Sequence, residues 1–191
     1  MINFSWRNAW VAVAAVALLQ SAVLGWMVVD RVNLIKTGKE IVLPIVPVDP
    51  RSLFRGDYVR LSYDVSRVPG ELFKERASAG DKIYVTIEKT PEGSYKAVAA
   101  GTRLPDTVGP DQIVLQGWLQ YGNLSTGRAP EFVWVRYGIE SYFVPEDTGL
   151  ALEDLAREKK MAAVVAVDRD GRSAIKGLMI DGKLQYEEPL L

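Results

Sequence analysis

The sequence predicts a mainly β (α+β) protein: a single N-terminal transmembrane helix, then a β-rich globular domain with one or two short helices. Three observations carry this. Residues 9–29, "AWVAVAAVALLQSAVLGWMVV", hold no charge. Beyond residue 40, short runs rich in Val, Ile, Tyr and Trp recur between Gly, Pro, Asp and Asn. Within those runs apolar residues alternate with polar ones, which is the period of a half-buried strand.

The uncharged run has 21 residues, enough to cross a hydrocarbon core of about 30 Å as a helix. Trp6 and Trp10 stand near one end and Trp26 near the other, where indoles favour the membrane interface. The run is longer than the apolar core of a typical signal peptide, and no strong basic segment precedes it, so an uncleaved anchor is expected. Gln20 inside it is either a tolerated amide or a hydrogen-bonding contact to a neighbouring helix. The flanking charges, Arg7 on one side and Arg31, Lys36 and Lys39 on the other, taken alone place the domain in the cytoplasm. Large domains are translocated largely regardless of such charges, and a chain without Cys suits an oxidising compartment. The expectation is therefore a single-pass membrane protein with an external or periplasmic domain.

This gives a short tail at 1–8, a transmembrane helix at 9–29, a polar stalk at 30–40 and the β-rich domain at 41–191. The stalk can continue the helix, with Gly38 as its stop. The segment "EIVLPIVPVDP" that follows carries Pro44, Pro47 and Pro50. Each removes a ladder donor, so extended edge structure or polyproline is expected rather than a central strand. Strands are then expected at 57–65, 82–89, 94–99, 112–121, 132–137, 140–144, 161–168 and 173–180. "DRDGRS" at 168–173 reads as a hairpin turn with Gly171 at positive φ; a calcium loop would need spaced ligands and a closing Glu that are missing. "TGLALEDLAREKKM" reads as a helix over 149–160, with Thr148 as cap, Glu153 and Asp154 early, and Arg157, Lys159 and Lys160 late. A weaker helix is expected over 70–79.

Composition excludes several chemistries. The chain of 191 residues has no Cys and no His, a formal charge of −1 and a pI near 5.6. Thiol catalysis, Cys/His zinc sites and a Ser-His-Asp triad are ruled out. A nucleic-acid footprint is absent, and neither metal nor cofactor is expected.

The densest local signal is "DPRSLFRGDYVRLSYDV", residues 49–65. Alternation puts Val59, Leu61, Tyr63 and Val65 on an apolar core face and Tyr58, Arg60, Ser62 and Asp64 on the other. Tyr63 is then a packing residue whose hydroxyl reaches an edge. Gly56 and Asp57 make a turn, so Gly56, Asp57, Leu61 and Tyr63 read as architecture, and the tripeptide Arg55-Gly56-Asp57 needs no adhesion role. In "FVWVRYG", Val133, Val135 and Tyr137 share one face while Trp134 and Arg136 share the other. Either face can be the outward one. Tyr58, Arg60, Trp134 and Arg136 are the candidate partner-binding residues, since exposed Tyr, Trp and Arg suit a protein contact.

The pattern Gly56-Asp57-Tyr58-x-x-Leu61-x-Tyr63 resembles the GDYXXLXY family of bacterial membrane-anchored proteins. The block "VRYGIESYFVPEDTGLALE" at 135–153 is similar to that family's second hallmark. The resemblance, with the anchor, spans most of the chain. It implies a membrane-tethered β-rich module and specifies no reaction. Family members are often encoded beside multi-pass membrane proteins, which implies an integral membrane protein as partner by association.

Two functions follow as expectations. The first is a non-catalytic accessory or scaffolding module, held in the lipid bilayer by residues 9–29, that binds a membrane-protein partner. The alternative is a signal-peptidase-like hydrolase with Ser52 as nucleophile and Lys82 as base, since a desolvated Lys can replace His. Against it stand the short spacing from Ser52 to Gly56, the absence of a Ser-Met-x-Pro pattern, and the exposed-looking position of Lys82. Glu146 and Asp147 at the start of the 149–160 helix are explained by its dipole.

Overall fold

The computed structural model describes residues 6–46, 58–121, 124, 130–143 and 160–187, with the backbone alone for Trp6, Arg7, Asn8, Tyr58, Val59 and Glu187. The chain divides into two compact units, Met1–Asn33 and Leu34–Leu191.

The first unit is helical. Helix α1 (Trp6–Thr37) begins there, and its stretch Ala9–Thr37 is long and apolar enough to cross a membrane. Trp10, Val11, Leu18, Leu19, Leu24, Trp26 and Met27 are all exposed. A helix apolar on every side is suited to lipid rather than to water.

In the second unit the last turn of α1 buries Leu34 and Ile35 against Ala174. The helix stops where the Gly38 N–H donates to the Leu34 carbonyl. A side chain at Gly38 would lie 2.7 Å from that carbonyl and 2.9 Å from the Val167 nitrogen, so the stop depends on glycine.

Among the described residues three sheets follow. The first has the order β1 (Lys39–Pro44), β9 (Met161–Val167), β10 (Ser173–Ile180), β11 (Lys183–Glu187). The second pairs β2 (Tyr58–Arg60) with β8 (Ser141–Phe143). The third runs β3 (Arg67–Pro69), β7 (Phe132–Arg136), β6 (Gln112–Tyr121), β4 (Lys82–Lys89), β5 (Tyr95–Gly101). Every strand pair is antiparallel. One hydrophobic core unites the sheets. Ile41 and Leu43 of β1, Val165 of β9 and Leu178 of β10 meet Ile83 and Val85 of β4, Leu115 of β6 and Val133 of β7. The architecture is a β-sandwich with the small β2–β8 pair joined to the same core through Leu61, Tyr63 and Tyr142.

The proline-marked segment forms an edge strand: among the described residues β1 pairs only with β9, and it ends at Pro44. Pro47 and Pro50 lie outside the described residues. The hairpin at 168–172 forms as expected, with Gly171 at φ +84°. The Asp168 carboxylate accepts from the Asp170 and Arg172 N–H groups and pairs with the Arg172 guanidinium at 2.7 Å. Its ligating capacity is spent on the turn.

Three expectations are corrected. The strand expected over 57–65 pairs regularly only to Arg60; a 3₁₀ turn takes Asp64–Ser66. The strand expected over 140–144 is Ser141–Phe143 among the described residues. The helix expected over 70–79 is a single 3₁₀ turn, Gly70–Leu72. There the backbone has better partners elsewhere: Phe73 bridges to Ala100, the Ala77 carbonyl accepts from Leu124, and the Gly80 N–H donates to Leu119. The helix expected over 149–160, with Glu146, Asp147 and Thr148, lies outside the described residues but for Lys160.

Candidate functional site

The Leu61-x-Tyr63 segment is a structural clasp. Leu61, Tyr63 and Val65 are buried, at 3%, 1% and 3% exposure, while Arg60 and Asp64 face solvent. The Leu61 N–H donates to the Glu140 carbonyl at 2.9 Å. The Tyr63 hydroxyl donates to the Ile139 carbonyl at 2.7 Å. In return, the Tyr137 hydroxyl donates to the Val65 carbonyl at 2.6 Å. Two buried phenols thus cross between segments more than seventy residues apart. On the other side, the Val46 N–H donates to the Ser62 carbonyl and Ile45 bridges to Tyr63. Burial pushes the Tyr63 hydroxyl well above its ordinary pKa and raises that of Tyr137 too, with the charge of Glu140 adding to both.

The two blocks that carry the sequence resemblance are therefore neighbours, with Tyr58, Val59 and Arg60 paired to Phe143, Tyr142 and Ser141. The model of the family described as GDYXXLXY protein matches residues 20–178. The chain belongs to the GDYXXLXY family. No match is found among curated proteins or among solved structures.

In this GDYXXLXY protein the clasp supports an outward surface. On β7, Val133, Val135 and the following Tyr137 are buried, while Trp134 is 43% exposed and Arg136 is exposed. This settles which face of "FVWVRYG" points outward. Register then builds two rows across the five-stranded sheet. One is Lys82–Trp118–Arg136 and the other is Arg67–Trp134–Tyr121. Each places an indole and a cation at neighbouring register positions. Arg67 also sits over the Phe132 ring, 3.7 Å from its centroid.

A cleft of about 500 Å³ opens at this surface. Arg60, Ser66, Trp118, Trp134, Arg136 and Glu140 are among its lining residues. Three of the four residues singled out from sequence, Arg60, Trp134 and Arg136, come together here. The side chain of Tyr58 lies outside the described residues, as do Gly56 and Asp57. Sequence reasoning missed Trp118, Ser66 and Glu140. Trp118 was legible in principle: it precedes the buried Leu119 in a strand, so alternation turns it outward.

Glu140 holds the turn beneath the cleft. Its carboxylate accepts from the Tyr137 N–H at 2.5 Å and the Gly138 N–H at 2.9 Å. Burial raises its pKa, while those donors and the Arg136 charge pull the other way. Ser66 is 5% exposed and its hydroxyl has no hydrogen-bond partner among the described residues.

The hydrolase residues fare differently. Lys82 is exposed at the first position of β4, in the row with Trp118. That site lacks the dry surroundings that make a lysine a base. Ser52 lies outside the described residues.

Proposed function

We propose that this protein is a membrane-anchored, non-catalytic accessory module of the bacterial inner membrane, with its β-sandwich in the periplasm, that binds an integral membrane protein. The observation that carries the reading is the convergence of Arg60, Trp118, Trp134 and Arg136 on one open cleft. Exposed Trp and Arg dominate protein contacts because they combine large apolar area with directed hydrogen bonding. The long apolar helix Ala9–Thr37 supplies the anchor. The cleft's carboxylate is already satisfied by backbone donors, which suits recognition better than proton transfer.

Two measurements test this. Alkaline phosphatase fused after the last residue is expected to be active and to stay with the membrane fraction. Activity of a cytoplasm-only reporter at that position would overturn the orientation, and a released soluble form would overturn the anchor. A photo-crosslinking amino acid in place of Trp134 is expected to capture an integral membrane protein. The same group at Leu104, exposed and outside the cleft, is expected not to. Equal capture from both positions, or none from Trp134, would remove the binding surface.

A further inference from the structure

We infer that the cleft at Arg60, Ser66, Trp118, Trp134, Arg136 and Glu140 receives an acidic peptide segment, its carboxylate held by the two arginines. This rests on the reading of the domain as a binding module and names the chemistry of what is bound.

The charge balance is the first argument. The chain as a whole carries a formal charge of −1. Its outer five-stranded face nevertheless gathers Lys82, Arg136 and Arg67 in two rows, with Arg60 reaching the same cleft. The lining holds two guanidinium groups against one carboxylate, Glu140, which Arg136 already faces. It therefore keeps a positive balance, and a guanidinium matches a carboxylate in shape as well as in sign.

The aromatic lining is the second argument. The indoles of Trp118 and Trp134, 39% and 43% exposed, offer apolar walls for the rest of the segment.

Concavity favours a peptide over a lipid surface. A bilayer presents headgroups on a broad plane, whereas a cleft of about 500 Å³ is filled by a group that projects. A carboxylate side chain or a chain terminus does so.

The test uses the full-length protein in a nonionic detergent and a fluorescein-labelled peptide of alternating Glu and Leu, read by anisotropy. Saturable binding is expected, weakening as salt screens the charges. Arg60→Gln and Arg136→Gln are each expected to weaken it by about tenfold, the scale of one charge-assisted hydrogen bond. Lys89→Gln, at the far end of β4, is expected to leave it unchanged. Near-ultraviolet circular dichroism checks that each variant stays folded. The inference is overturned if a Gln-Leu peptide binds as well, or if the folded Arg60 and Arg136 variants bind like the wild type. Binding confined to phosphatidylglycerol vesicles would also overturn it and assign the face to lipid. Should Trp134 crosslink a partner through a neutral or basic segment, the module would stand and the acidic ligand would fall.

Discussion

Leu61→Ala is expected to lower the stability of the domain by about 2–5 kcal/mol, the range for removing a buried leucine side chain. Leu61 is 3% exposed and belongs to the cluster that joins Ile41, Val68, Val135 and Tyr142. Its N–H fixes Glu140, so the lost side chain leaves a cavity at a point where the backbone cannot close over it. Such a loss is a large share of the whole margin of a small domain. Arg60→Ala, one residue earlier and exposed, is expected to stay within about 0.5 kcal/mol of the wild type. Urea unfolding of the full-length protein in nonionic detergent, followed by near-ultraviolet circular dichroism, measures both. If Leu61→Ala unfolds at the wild-type urea concentration, the segment is not part of the core.

The second large effect belongs to the crossed phenols. Tyr63→Phe leaves the Ile139 carbonyl without its donor, and Tyr137→Phe does the same to the Val65 carbonyl. Each is expected to cost about 1–3 kcal/mol, the penalty for orphaning a buried acceptor. Because the two bonds join the same pair of segments, the double variant is expected to depart from the sum of the singles. Both hydroxyls have raised pKa values when folded, by burial first and Glu140 second. They hold their protons more tightly in the folded state than in the unfolded one. The stability they contribute is complete below about pH 10, the ordinary tyrosine value, and is lost as pH climbs towards the folded values. Stability measured against pH should therefore fall above that point in the wild type and fall less steeply in the double variant. An identical alkaline slope would show that neither phenol titrates differently on folding.

Much of this was legible in the sequence because alternation reports burial directly. The strands 82–89, 112–121 and 173–180 appear with the boundaries the pattern indicates. Tyr63 was recognisable as a packing residue from its place opposite Arg60 and Asp64. Strands β3 and β11 were not legible. Arg67-Val68-Pro69 is too short and ends in proline, while Lys183–Glu187 is mostly polar and exposed. The site was half legible for a related reason. Local pattern shows that Trp134 and Arg136 share a face, and structure shows that the face is outward. Which strand lies alongside is a non-local choice, so the pairing of Arg67 with Trp134 and of Trp118 with Arg136 is invisible to any local window. Ser66 gave no signal at all, because a serine's missing partner is a property of its surroundings.

The position of β1 has a consequence for how the protein is made. This first strand of the sandwich finds its neighbour in β9, and Glu40 at its start forms an ion pair with Lys176, 136 residues later. At about 5–20 residues per second of synthesis, the nascent β1 waits on the order of ten seconds for that neighbour to emerge. The Tyr63 hydroxyl likewise waits for Ile139. Ile41, Leu43 and Ile45, buried in the finished core, lack the cover of β9 through that interval and form an adhesive edge. Pro44 and Pro47 limit the damage, since each removes a donor from any mistaken ladder. The sandwich is consequently a late-closing one: its first strand is secured only after the C-terminal hairpin of β9 and β10 has been synthesised.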